Sequence, residues 1–151
     1  MESMKNNFQF ELVHIQELPS VFNRELPIDK ESLKSCQPSY LVVFQYQADY
    51  PSVGLHVSIR YVFPDGKVLM QEGATIIAKI EGWSEMSHDE ANLRADSRVQ
   101  ALVSYGLSFV SGMIYRRASG TVMNNIFVPY MDIKQVIDNV LIEEVKKADK
   151  G

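Results

Sequence analysis

A chain of 151 residues is long enough to bury a core without a disulfide or metal staple, and 46% hydrophobic with 23% charged residues is a globular composition, not a disordered or fibrous one. Fifteen Lys and Arg against nineteen Asp and Glu give a net charge of -4, which argues against phosphate-backbone binding and hence against a nucleic-acid partner. The single cysteine, Cys36, has no internal partner, the amino-terminal stretch lacks a signal-peptide apolar run, and no apolar run nears the ~20 residues of a membrane span, so the expectation is a soluble cytoplasmic protein without membrane insertion.

Phe8, Phe10 and Leu12 alternate with Gln9 and Glu11, which predicts a strand from Asn7 to Leu18 that Pro19 ends. Residues 20–38, with Pro27, Asp29-Lys30-Glu31 and Pro38, read as an irregular connection with room for one helical turn. Tyr40 to Tyr50 is rich in β-branched and aromatic residues and predicts a strand. A further strand follows in which Leu55, Val57, Ile59, Tyr61 and Phe63 alternate with His56, Ser58 and Arg60. Pro64-Asp65-Gly66 supplies tight-turn chemistry before a strand from Val68 to Ile80, so these two strands form a hairpin.

After Trp83 the period changes. Ser87 with Glu90 three residues on is a capping box, and Val99, Leu102, Val103, Leu107, Val110, Met113 and Ile114 recur at three- and four-residue spacing, predicting one long helix to about Arg117. Arg116 and Arg117 suit the negative end of the helix dipole, and Gly120 signals the stop. Asp132 with Gln135 announces a second helix whose apolar face is Ile133, Val136, Ile137, Val140, Leu141 and Val145. The expected fold is α+β in a single domain over 1–151: a four-stranded antiparallel sheet, a long helix, a crossover segment and a shorter C-terminal helix.

The motifs that carry catalysis with a stated mechanism are missing: no Gly-rich phosphate loop, no GxSxG, no HExxH and no Cys/His quartet. His14, His56 and His88 read as structural or solvated, and the pairs Glu143-Glu144 and Asp89-Glu90 point about 100° apart on a helix and do not converge. The expectation is a non-enzyme with no cofactor and no metal. The surplus is aromatic: Phe8, Phe10, Phe44, Tyr46, Tyr50, Tyr61, Phe63, Tyr105, Phe109, Phe127 and Tyr130 crowd a small frame, and two helices cannot cover both faces of its sheet. About two thirds of these are assigned to the core and a homo-oligomer interface, and the rest to an open apolar groove. Two rival readings are a small-molecule-binding protein or enzyme with an aromatic-lined pocket between sheet and helices, and a purely structural oligomer.

The segment Gly120-Thr121 to Pro129, leaving a long helix and followed by a closing helix from Asp132, resembles the SecB export-chaperone family. Phe8-Gln9 opening a strand that leads to Gln16-Glu17-Leu18 is similar to that family's first strand, and Val68 to Gly82 lies on its fourth without a gap. The resemblance covers the order of elements along nearly the whole chain and rests on spacing rather than on any specific motif. It implies a homotetramer built as a dimer of dimers and an ATP-independent holdase for unfolded preproteins or, in a toxin-antitoxin system, for an antitoxin. It further implies a client groove walled by Val122, Ile126, Phe127 and Tyr130 on one side and by Phe44 and Tyr46 on the other. Methionines such as Met70, Met113 and Met123 suit adaptable apolar contact. The family also docks the translocation motor ATPase SecA; Glu17 and Leu69 match that patch, whereas Val21 and Gln71 stand where the family has carboxylates, and Glu72 should face the other side of its strand. The family's Pro-Tyr step in the long helix is replaced by a run containing Gly106 and Gly112.

Overall fold

A computed structural model describes residues 10–23, 34–120 and 131–145. Strands β1 (Phe10–Glu17), β2 (Val21–Phe22), β3 (Gln37–Gln47), β4 (Tyr50–Val62) and β5 (Val68–Ile80) precede helices α1 (Glu90–Ala95), α2 (Ser97–Ala118) and α3 (Ile133–Asn139), and β6 (Leu141–Glu144) follows. The sheet order is β1-β5-β4-β3-β6, with β2 also pairing β5. The α+β class is as expected, but the sheet has six strands rather than four. It is mixed, because β6 runs parallel to β3 while every other pair is antiparallel.

The β4–β5 hairpin closes as its turn chemistry dictates. Gly66 takes φ 89°, its amide donates to the Phe63 carbonyl at 2.9 Å, and the Asp65 side chain accepts from the Lys67 amide at 3.0 Å. Across the sheet, Phe44, Leu55 and Ile76 share one register line, as do Val42, Val57 and Ala74, and all six are buried. Their face is covered by α2 through Val99, Leu102, Val103, Val110 and Ile114. Each fully buried Leu or Ile here contributes about 1.5–3 kcal/mol of transfer free energy. Helix and sheet meet at Gly106, where an added Cβ would lie 2.7 Å from Leu55 Cδ2 and 2.9 Å from Val57 Cγ2. The glycine admits the sheet side chains into the helix groove.

Three local expectations are corrected. The helix forecast to run unbroken from Ser87 to Arg117 is two helices, because Asp96 takes extended backbone (φ -74°, ψ 127°) and its carboxylate accepts from the Arg98 and Val99 amides at 2.8 and 3.3 Å, starting α2 afresh. The first cap is Asp89, not the Ser87–Glu90 box: Asp89 accepts from the Asn92 amide at 2.9 Å while the Ser87 hydroxyl donates to the Asp89 carboxylate at 2.9 Å. The last helix does not continue to Val145. It starts at the expected cap, Asp132, but ends at Asn139, where the Arg94 guanidinium donates to the Ile137 carbonyl. Val140 is extended and buried, and Leu141–Glu144 pair with Val43–Tyr46. Asp138 and Asn139 compete with helical hydrogen bonding, and the edge of β3 offers the backbone a ladder instead.

Candidate functional site

With α2 on one side, alternation sends Ser52, His56, Ser58 and Arg60 of β4, Gln71 and Thr75 of β5, and Val43 and Gln45 of β3 to the other face, which no helix among the described residues covers. This face is mostly polar. His56 sits at its centre and bridges three strands: one ring nitrogen is 2.9 Å from Gln45 Oε1 and the other 2.7 Å from Thr75 Oγ1. Half-buried Ile77 also lies on this face, beside Gly54, and exposed apolar side chains emerge at its margins, at Leu41 and Leu141 toward β6 and at Val13 and Val21 toward the opposite edge. Val13 is put there by a register shift between Leu12 and His14.

The outer face of α2 is the second open surface. Ser104, Ser108, Gly112 and Tyr115 are exposed, Tyr105 and Phe109 are half-buried, and no charged residue occurs between Arg98 and Arg116. A solvated helix normally carries charge on its outer face, and this one carries none over that stretch. Its carboxyl end is held by two ion pairs: Arg116 donates to Glu17 at 3.0 Å, and Arg117 donates through Nε to Glu72 at 3.0 Å and through Nη2 to the Ser20 hydroxyl. These arginines do end the helix, but their carboxylate partners on β1 and β5 were not legible in sequence; the clue available was Glu72, a carboxylate on the inward parity of a core strand.

Of the residues expected to wall a client groove, Val122, Ile126, Phe127 and Tyr130 lie outside the described residues. Phe44 and Tyr46 are in the core. Phe44 packs 6.1 Å from Trp83 by ring centroid, Tyr46 meets Trp83 edge-on at 5.7 Å, and the Tyr46 hydroxyl donates to the His88 carbonyl. Burial, reinforced by the carboxylates of Glu144, Glu90 and Asp89, pushes the Tyr46 phenol up. Trp83, which sequence reasoning did not single out, anchors this cluster: it stacks on His88 at 4.2 Å, donates to the Gln47 carbonyl at 2.9 Å, and its own carbonyl lies 2.7 Å from His88 Nε2. Most of the described aromatic surplus is spent in this way on packing, with Tyr50 and Tyr115 exposed.

The positions matched to motor docking do not form one patch. Glu17 is engaged by Arg116 on the helix side, and Leu69 is fully buried. Tyr61 pairs Met70 and Val62 pairs Val68, so Leu69 is the extra residue of a bulge, which turns it from the parity it shares with Gln71. Val21 and Gln71 do lie opposite each other on neighbouring strands. Among the described residues no group of three His, Cys, Asp or Glu could hold a metal ion. Burial pushes the Cys36 thiol up, away from the thiolate a nucleophile needs. Among the described residues no helix is long and apolar enough to cross a membrane.

Compared with protein-family models the chain matches none, and no curated protein matches it.

Proposed function

We propose that the chain is an ATP-independent holding chaperone, SecB-like in plan, that binds unfolded or non-native polypeptides on apolar surface left open by its one-sided sheet. The observation that carries this reading is the division of surfaces: one sheet face packed against α2, the other without a covering helix among the described residues and with apolar margins, and a long helix whose outer side bears no charge. Unfolded chains present scattered apolar segments without fixed shape, so a holder requires distributed apolar area rather than a shaped pocket. The uncharged side of α2 is the natural surface for self-association into the tetramer that the resemblance implies. The rival reading, a ligand pocket between sheet and helices, meets an obstacle at Gly106, where α2 and the sheet approach so closely that an added Cβ would lie 2.7 Å from Leu55 Cδ2. Burial of Leu69 and engagement of Glu17 favour an antitoxin or other client over a route through the translocation motor.

The test is light scattering from a thermally denatured client. The protein at stoichiometric ratio and without nucleotide should suppress aggregation of several unrelated clients. Unchanged aggregation across that set would overturn the proposal.

A further inference from the structure

The exposed edge of the sheet beside β6 is more specific than a patch of apolar surface. β6 covers only part of β3, from Val43 to Tyr46, and the Val145 amide adds a bond to the Tyr46 carbonyl at 2.7 Å. Backbone groups alternate sides along a strand, so the even-numbered residues of β3 face this edge. Pro38 obeys the same parity: its missing amide would have pointed outward, where no partner strand loses a bond. From Gln37 to Val42 the edge continues with no strand beside it among the described residues, leaving Tyr40 with amide and carbonyl turned outward.

The side chains along this open stretch select a chemistry. Leu41, 53% exposed, continues the apolar line of Val43 and Leu141, itself 51% exposed. Two residues along from Leu41, Ser39 lies opposite Arg60 on β4, and Arg60 is exposed with no carboxylate within ion-pair distance among the described residues. The strand already seated on this edge shows the matching pattern: Leu141 lies beside Val43, and two residues on the Glu143 carboxylate accepts from the Gln45 side-chain Nε2 at 3.1 Å. An extended peptide laying an apolar side chain beside Leu41 would bring a carboxylate two positions away to Arg60.

We propose that the edge of β3 from Gln37 to Val42 is a strand-addition site for extended peptides carrying an apolar side chain and a carboxylate two positions apart, with β6 as the chain's own occupant of the adjoining stretch. Main-chain hydrogen bonds supply affinity, and alternate side chains supply selection. This names a client class and a binding mode, and it rests on the chaperone reading for its biological role.

The test uses the full chain and a fluorescein-labelled threonine-rich octapeptide with one Leu and one Glu two positions apart, followed by anisotropy. Two further peptides carry N-methyl groups on one or the other alternate set of amides. Strand addition requires that one set weaken binding by about tenfold or more while the other binds like the parent. Arg60→Glu should weaken the parent peptide, and exchanging the peptide's Glu for Lys should restore binding to that variant. No saturable binding, equal binding by both methylated peptides, or indifference to Arg60→Glu would overturn the proposal. A protein that suppresses client aggregation yet does not distinguish the methylated peptides keeps the chaperone reading and loses this one; strand addition without aggregation suppression does the reverse.

Discussion

Glu72 is 2% exposed, and the Arg117 guanidinium reaches its carboxylate through Nε at 3.0 Å. Arg117→Ala therefore does more than remove a surface contact. It strands a buried charge and should cost about 3 kcal/mol, the low end for such losses because the arginine itself remains partly open to water. The urea midpoint of the variant measures this, and a loss under ~1 kcal/mol would show that Glu72 finds other solvation. Replacing both partners by Met should recover most of the loss, since neither charge is then buried. Arg116→Ala, at an exposed pair with Glu17, should cost less than ~1 kcal/mol. The two arginines are adjacent and chemically identical, and only their partners on β5 and β1 separate them.

At the scale of elements, two glycines of α2 behave oppositely although both interrupt a helical pattern. An added methyl at Gly106 collides with Leu55 and Val57, whereas at Gly112 nothing lies within 4 Å. Gly106→Ala should destabilise by about 1–3 kcal/mol through overpacking, and Gly112→Ala should stabilise by up to ~1 kcal/mol through helix propensity. Thermal melts of the two variants check the pair, and equal shifts would contradict the close approach of helix and sheet. The four principal strands, the β4–β5 turn, the end of α2 and the Asp132 cap were all legible, because each depends on local periodicity or on one turn or cap residue. The interruption at Asp96 and the strand β6 were not. Arg98 grips Asp96 through its side chain as well as its backbone, and β6 forms because an edge of β3, about a hundred residues earlier, lies open to it.

At the scale of the whole molecule, stability should fall away at both ends of the pH range. Burial raises the Tyr61 phenol to about 12. The folded state therefore binds that proton more tightly than the unfolded chain, and the contribution is complete below the ordinary tyrosine value near ~10 and lost as pH rises through about 12. Asp89 is held low by the Asn92 amide and the Ser87 hydroxyl. Burial pushes Asp96 up, but the Arg98 guanidinium and backbone amides more than reverse this and leave it low. These caps favour the folded state above the ordinary aspartate value near ~4, and their contribution is lost as pH falls through their lowered values. Circular dichroism against pH should show a plateau between these limits. Asp96→Asn should soften the acid edge and Tyr61→Phe the alkaline one.

The sequence by itself determined the α+β class, the four principal strands, the strand hairpin and the apolar stripe of the long helix, because periodicity of two or 3.6 is a property of neighbours in the chain. Tertiary structure decided which aromatic residues were consumed in packing. Phe44 and Tyr46 share the parity of a buried face with Val42, and nothing local says that Trp83 will close over them. It likewise decided that Leu69 turns inward at a bulge and that Leu41 stays exposed beside an edge that no strand among the described residues pairs. Burial and edge exposure depend on what arrives from elsewhere in the chain, and that information is long-range.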